Sequence, residues 1–161
     1  MNKKPIKRNE NILKLSKEHH FSLLFCWKIR QGLKAGIDSS RIIKYVQYFK
    51  THFLLPHFSE EEIYLFSALN DEHVQKAIEQ HTEIKNLLGA LLDTDNDSAK
   101  QQLEKLANLV DEHVRYEERE LFPHIENSLT GEQLEAIGKR LNELQPALMK
   151  DVYADEFWIK K

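Results

Sequence analysis

The chain is poor in cysteine, glycine and proline: among 161 residues there are one Cys, five Gly and four Pro. A lone Cys26 excludes an internal disulfide framework and any zinc or iron–sulfur site built from cysteines. The scarcity of Gly and Pro leaves few breaks for turns. There is no run of ~18 apolar residues, so no membrane span is expected. An excess of one charge is missing too. The 23 Lys and Arg against 26 Asp and Glu give a formal net charge of −3, which argues against nucleic acid or an anionic membrane as the main partner. The basic stretch from Met1 to Glu10 is followed by neither an apolar segment nor a small-residue cleavage site, so it does not read as a signal peptide and a cytoplasmic protein is expected. At 19.0 kDa, 41% hydrophobic and 30% charged, the chain suits one soluble domain over residues 1–161, with a bundle core over about 10–145 and a tail over 146–161. What is abundant is histidine, with eight residues.

Apolar spacing is helical nearly throughout, and no strand alternation appears. A first helix is expected from about Asn9 to Ala35, with Ile12, Leu15, Leu23, Trp27 and Leu33 on one face. Gly36 would stop it, and Asp38 or Ser39 would cap a second helix running to Leu69. Pro56 lies inside that helix and predicts a kink just before His57. A third helix spans about Asp71 to Leu92, the polar stretch Asp93 to Ser98 reads as a loop, and a fourth helix runs from about Ser98 to Asn127. Thr130 and Gln133 fit a capping box for a short fifth helix ending near Leu144. Tyr153, Phe157 and Trp158 in the tail would dock on the body or on a second copy of the chain, as in a homodimer. The expected fold is all-α: an up-down-up-down four-helix bundle with a short extra C-terminal helix.

Two segments repeat each other. His57, Glu61, Leu65 and Phe66 align without gaps on His113, Glu117, Leu121 and Phe122. A spacing of four puts each imidazole and carboxylate on one helix face. The leucine four residues further on makes that face the core face. A buried carboxylate is costly unless it is paired or metal-bound. His81 lies on the apolar stripe of Ile78, Ile84 and Leu88. On the first helix His19 and His20 both could point inward, and the Leu15/Leu23 stripe favours His19. The chain therefore reads as a helix pair repeated twice, each carrying a His and then a His-x-x-x-Glu. Four histidines and two carboxylates converging in a bundle suit a site for two ions, with imidazole fitting iron, zinc, copper or nickel. The ferritin-like pattern has Glu-x-x-His spacing and more glutamates, so this chain departs from it.

In these residues (His19, His57 with Glu61, His81, His113 with Glu117, and the flanking Glu62, Leu65-Phe66, Glu118 and Leu121-Phe122-Pro123) the sequence resembles the hemerythrin-like, or HHE cation-binding, domain family over roughly residues 10 to 145. The resemblance implies a four-helix bundle holding two non-haem iron ions, with zinc as a substitute, and dioxygen or a related small oxidant as partner. Oxygen-carrying hemerythrins have a further histidine four residues along the third helix and a later aspartate on the fourth. Here Lys85 follows His81 by four, Ala77 precedes it by four, and the fourth helix offers Glu117 and Glu118. That departure points to redox reaction or sensing rather than stable oxygen carriage.

Blander readings suit the remaining groups. His52 is about 140° around the helix from His57, and His73 is about 12 Å along the axis from His81. His124 falls past the ligand turn. Glu60, Glu62 and Glu118 read as neighbours of the ligand set or as solvated, although Glu118 could replace Glu117. Cys26 reads as buried filler, and Asp93 to Asp97 lacks the Gly and Glu of a calcium loop. The sequence favours an oxidant-binding or oxidant-sensing iron protein over two alternatives: a redox enzyme acting on peroxide or nitrogen oxides, and a bundle with a purely structural ion.

Overall fold

The computed structural model describes residues 7–91, 96–144 and 151–159. No strand occurs among them. A 3-10 turn, Glu10–Ile12, leads into α1, Leu13–Lys34. α2 covers residues 39–68, α3 is Glu72–Ala90, α4 covers 96–128, and α5 is Gly131–Glu143. Neighbouring helices of the first four run antiparallel. α4 packs along α1 and against α3. Of the loop read at Asp93 to Ser98, the first half, 93–95, lies outside the described residues, as does Pro146, and α4 already begins at Asn96.

Helix ends follow local chemistry. The Asn9 side chain accepts from the Asn11 amide, Asp38 from Ser40, and Asp71 from Val74, each satisfying an orphan N–H of a first turn. Thr130 and Gln133 form the expected reciprocal capping box. Gly36 takes the left-handed φ of +70° that ends α1.

One expectation is corrected. Leu23 is 37% and Trp27 47% exposed, so they lie off the core face of α1. The buried face runs Leu15, His19, Ser22, Phe25, Cys26, Ile29 and Gly32, and Phe25 rather than Trp27 is its aromatic anchor. At Pro56, where the sequence predicts a kink, α2 remains helical. A π turn at Lys50–Leu54 precedes it, closed by the Leu55 amide on the Lys50 carbonyl, and the backbone stays helical through Leu54 and Leu55. The wider turn takes up the missing N–H and the bulk of the ring. Pro123 sits in the same relation to a π turn at Glu117–Leu121.

The apolar interior falls into two parts. One holds Phe25, Ile29, Tyr45, Phe49, Leu103, Leu106 and Phe157. The other holds Ile12, Leu15, Leu65, Phe66, Val74, Leu121, Phe122 and residues of α5. The tail docks on the body: Phe157 is buried, and Tyr153, Phe157 and Trp158 pack around Tyr45. Between the two apolar parts lies a buried polar belt.

Candidate metal centre

The belt consists of His19, His57, Glu61, His81, His113 and Glu117, every one of them at most 4% exposed. They form two groups. His19, His57, Glu61 and Glu117 each offer one ligand atom within 4.8 Å of the others, and so do Glu61, His81, His113 and Glu117. The two carboxylates belong to both groups. The six side chains singled out in the sequence are thus brought together. His20 is exposed and stays outside, and Glu117 rather than Glu118 faces inward.

Local helix geometry aims the carboxylates. Glu61 and Glu117 each open a π turn, in which the Phe66 amide bonds the Glu61 carbonyl and the Phe122 amide bonds the Glu117 carbonyl. One extra residue in the turn lets two successive side chains face the core. Leu65 and Phe66 are both buried, as are Leu121 and Phe122. π turns recur at functional sites for this kind of re-aiming. Aromatic rings then wall the belt. Phe58 stacks on His81 at 3.9 Å, Phe66 flanks the same ring at 5.7 Å, and Phe122 stacks on His19 at 5.3 Å.

The inward atoms are poorly served by one another. His19 Nε2, His57 Nε2, His113 Nε2, Glu61 Oε2 and both Glu117 oxygens are buried with no hydrogen-bond partner. His113 Nε2 lies 2.5 Å from Glu117 Oε1, yet neither atom is aligned as donor or acceptor to the other. Buried polar groups are nearly always satisfied, since an unmet one costs about 1–3 kcal/mol. Several unmet lone-pair atoms aimed at shared points fit a cation ligated by imidazole and carboxylate.

Three of the four outer ring atoms are hydrogen-bonded in a circuit between neighbouring helices, and the fourth, His81 Nδ1, is not. His57 Nδ1 meets Glu18 Oε1 at 2.8 Å, and His113 Nδ1 meets Gln80 Oε1 at 2.6 Å. Glu18 directly precedes His19, and Gln80 directly precedes His81. His19 Nδ1 meets Glu118 Oε2 at 3.2 Å, and His81 Nδ1 lies 3.4 Å from Glu62 Oε1. Glu118 and Glu62 directly follow the two inward carboxylates. Each helix thus supplies one inward histidine and one outer oxygen beside a neighbour's histidine. An ionised carboxylate or an amide oxygen only accepts, so at His19, His57 and His113 Nδ1 carries the proton and Nε2 is left to face the interior. At His81 it is Nε2 that meets a carboxylate, Glu61 Oε1 at 3.1 Å, and Nδ1 has no hydrogen bond. Glu62 and Glu118 are legible in the sequence as neighbours of the site, whereas Glu18 and Gln80 are not. Their equivalent positions before the two lone histidines were the available signal. Arg8 also went unnoticed. Its buried guanidinium donates to the Glu118 carbonyl at 2.6 Å, to Ser16 and to Glu126, and so fixes the segment carrying Glu118.

Charge follows the same logic. Burial opposes a charged His57, but Glu61 and Glu18 outweigh it and raise its pKa to about 9. His81 also reaches about 9 against its burial, through Glu61 and Glu62. Burial would raise the Glu61 carboxyl, yet His57 and His19 hold it well below its ordinary range. Without an ion, protons supply the positive charge that the belt demands, and a bound cation would displace them.

Lys85, four residues after His81, points away. Its ammonium lies 3.7 Å from Glu62, on the outer side of the His81 ring. Ala77 is fully buried in the apolar part around Leu65 and Val74. Neither position supplies an imidazole.

A helical bundle with paired His/Glu clusters in its interior defines a cation-binding bundle protein. The sequence profile of the family described as Hemerythrin HHE cation binding domain matches residues 11–125, and the chain belongs to that family. No curated protein and no solved structure matches the chain significantly. No described helix is long and apolar enough to cross a membrane.

Proposed function

We propose that the chain holds two non-haem iron ions and uses them to bind or sense dioxygen or a related small oxidant. In this reading His19 and His57 are terminal ligands of one ion, His81 and His113 of the other, and Glu61 and Glu117 bridge both. The observation that carries it is that both four-residue groups contain the same two carboxylates. The iron pair, when bound, would supply one-electron redox chemistry and an open position for a small molecule. The chain's own residues set the terms. Glu18, Glu118 and Gln80 fix the tautomer and tilt of three rings, and Phe58, Phe66 and Phe122 keep the surroundings apolar. Four imidazoles with no fifth favour reaction or sensing over stable oxygen carriage.

Two further readings remain distinct outcomes of the same experiment: catalysis on peroxide or nitrogen oxides, and a structural ion such as zinc. Metal content and the visible spectrum of protein purified without chelator separate them. Iron with visible absorption that changes when the reduced protein meets dioxygen supports the proposal. Turnover of peroxide supports the enzyme, and colourless zinc protein supports the structural ion. Glu61→Ala and His113→Ala should lose iron while His52→Ala, at an exposed position, keeps it. Equal iron in all three would overturn the ligand assignment.

A further inference from the structure

A third group of ligand-type side chains lies at the α5 end of the bundle, away from the belt. Asp71, His73 and His124 each offer a ligand atom within 4.8 Å of the others. His73 is eight residues before His81, about 12 Å along α3, so the buried belt cannot share an ion with it. Asp71 divides its two oxygens. Oδ1 caps α3 by accepting from Val74 at 3.1 Å, and Oδ2 meets His124 Nε2 at 2.6 Å. The His73 and His124 rings stack with centroids 3.9 Å apart. Two imidazoles in face contact beside one carboxylate are poorly arranged if both carry protons, since like charges would face each other at close range. Each ring nonetheless presents a nitrogen within 4.8 Å of the other ring's nitrogen and of an Asp71 oxygen, close enough for one cation to be shared after a small rotation of the rings. Glu72 and Glu120 line the adjoining recess with His73, Lys76 and Tyr116. Lys76 is turned onto the Tyr116 ring at 4.5 Å, and the Tyr116 hydroxyl is spent on the His73 carbonyl.

The geometry points to a separate, mononuclear site for a divalent first-row transition ion, held by Asp71, His73 and His124. Two imidazoles and one carboxylate suit zinc, copper, nickel or ferrous iron, with water completing the coordination. Partial exposure of all three ligands makes this ion exchangeable with solvent. The site joins the N-terminus of α3 to the last turn of α4, so an ion there clamps those two helix ends.

Zn2+ titration of the full-length chain by calorimetry tests it, because the readout does not depend on what fills the buried belt. The wild type should bind one more Zn2+ than His73→Ala/His124→Ala. Equal stoichiometry would overturn the site. His73→Ala alone keeps the Asp71–His124 pair and alters an exposed position, so the fold should survive. It should weaken the solvent-exposed Zn2+ step, and an unchanged isotherm would overturn the site. With Cu2+ as a second probe, electron paramagnetic resonance should show two coupled ring nitrogens that the double variant loses. Their persistence would count against the assignment.

Discussion

At His57 the two ring nitrogens meet opposite environments. Nδ1 is paired with Glu18 at 2.8 Å, while Nε2 faces the interior without a hydrogen bond. In the ion-free protein this pair sets a pH window. The His57 pKa is raised from 6.5 to about 9, so its contribution is full below 6.5 and is lost as pH climbs through about 9. The Glu18 pKa is lowered from 4.5 to about 2: burial raises it, but His57 and Lys14 prevail. Its contribution is full above 4.5 and is lost as pH falls toward 2. Chelated protein should therefore resist denaturant best between about pH 4.5 and 6.5, and Glu18→Gln should flatten both arms of that profile. A second residue breaks the symmetry of the circuit. Two outer acceptors, Glu18 and Glu118, are carboxylates, and the third, Gln80, is an amide. A carboxylate behind a ligating imidazole raises its basicity. Gln80→Glu should therefore shift the reduction potential of the loaded centre to more negative values, which protein-film voltammetry would read; an unchanged potential would show that the outer acceptors only orient the rings.

The helices show both where the sequence is readable and where it is not. The His-x-x-x-Glu repeat is legible because ligand spacing and helical period coincide, and Leu65 and Leu121 mark the face as buried. The π turns are not legible from a regular period, and adjacent buried pairs such as Leu65-Phe66 and Leu121-Phe122 do not mark them, since Phe25 and Cys26 are both buried on the regular helix α1. The α1 face misled for another reason. Leu23 and Trp27 are apolar by type, but the position facing the body is decided by packing against α4, which places Phe25 and Ile29 inside. Packing also explains Gly138. A Cβ there would lie 3.0 Å from the Asn11 Cα and 2.8 Å from its Cβ, so α5 touches the segment before α1 backbone to backbone. Gly138→Ala should push these elements apart and cost about 1–3 kcal/mol of stability by denaturant titration.

Across the whole molecule, a polar belt divides the hydrophobic interior and the tail closes the far end. Lys28 is buried beneath that tail. It bonds Asp151 at 2.9 Å and lies 4.1 Å from the centre of the Trp158 ring, and Gly32 leaves room for Phe157, whose ring a Cβ would meet at 2.8 Å. Removing one member of a buried pair strands the other. Lys28→Ala should lower stability by about 3 kcal/mol in denaturant titration and free Trp158, seen as a red shift of its fluorescence. The sequence showed that the tail aromatics must dock but not where, because docking depends on a cavity made by residues of α1 and α2. Ligand binding to the folded state alone adds stability by mass action, so an ion in the belt should tie the two apolar parts together. Metal analysis of the wild type and of Glu61→Ala, both purified without chelator, tests this most directly. Two iron ions per chain are expected in the wild type and none in the variant, because one carboxylate serves both ions. A wild type without metal, or a variant that keeps the full complement, would contradict it.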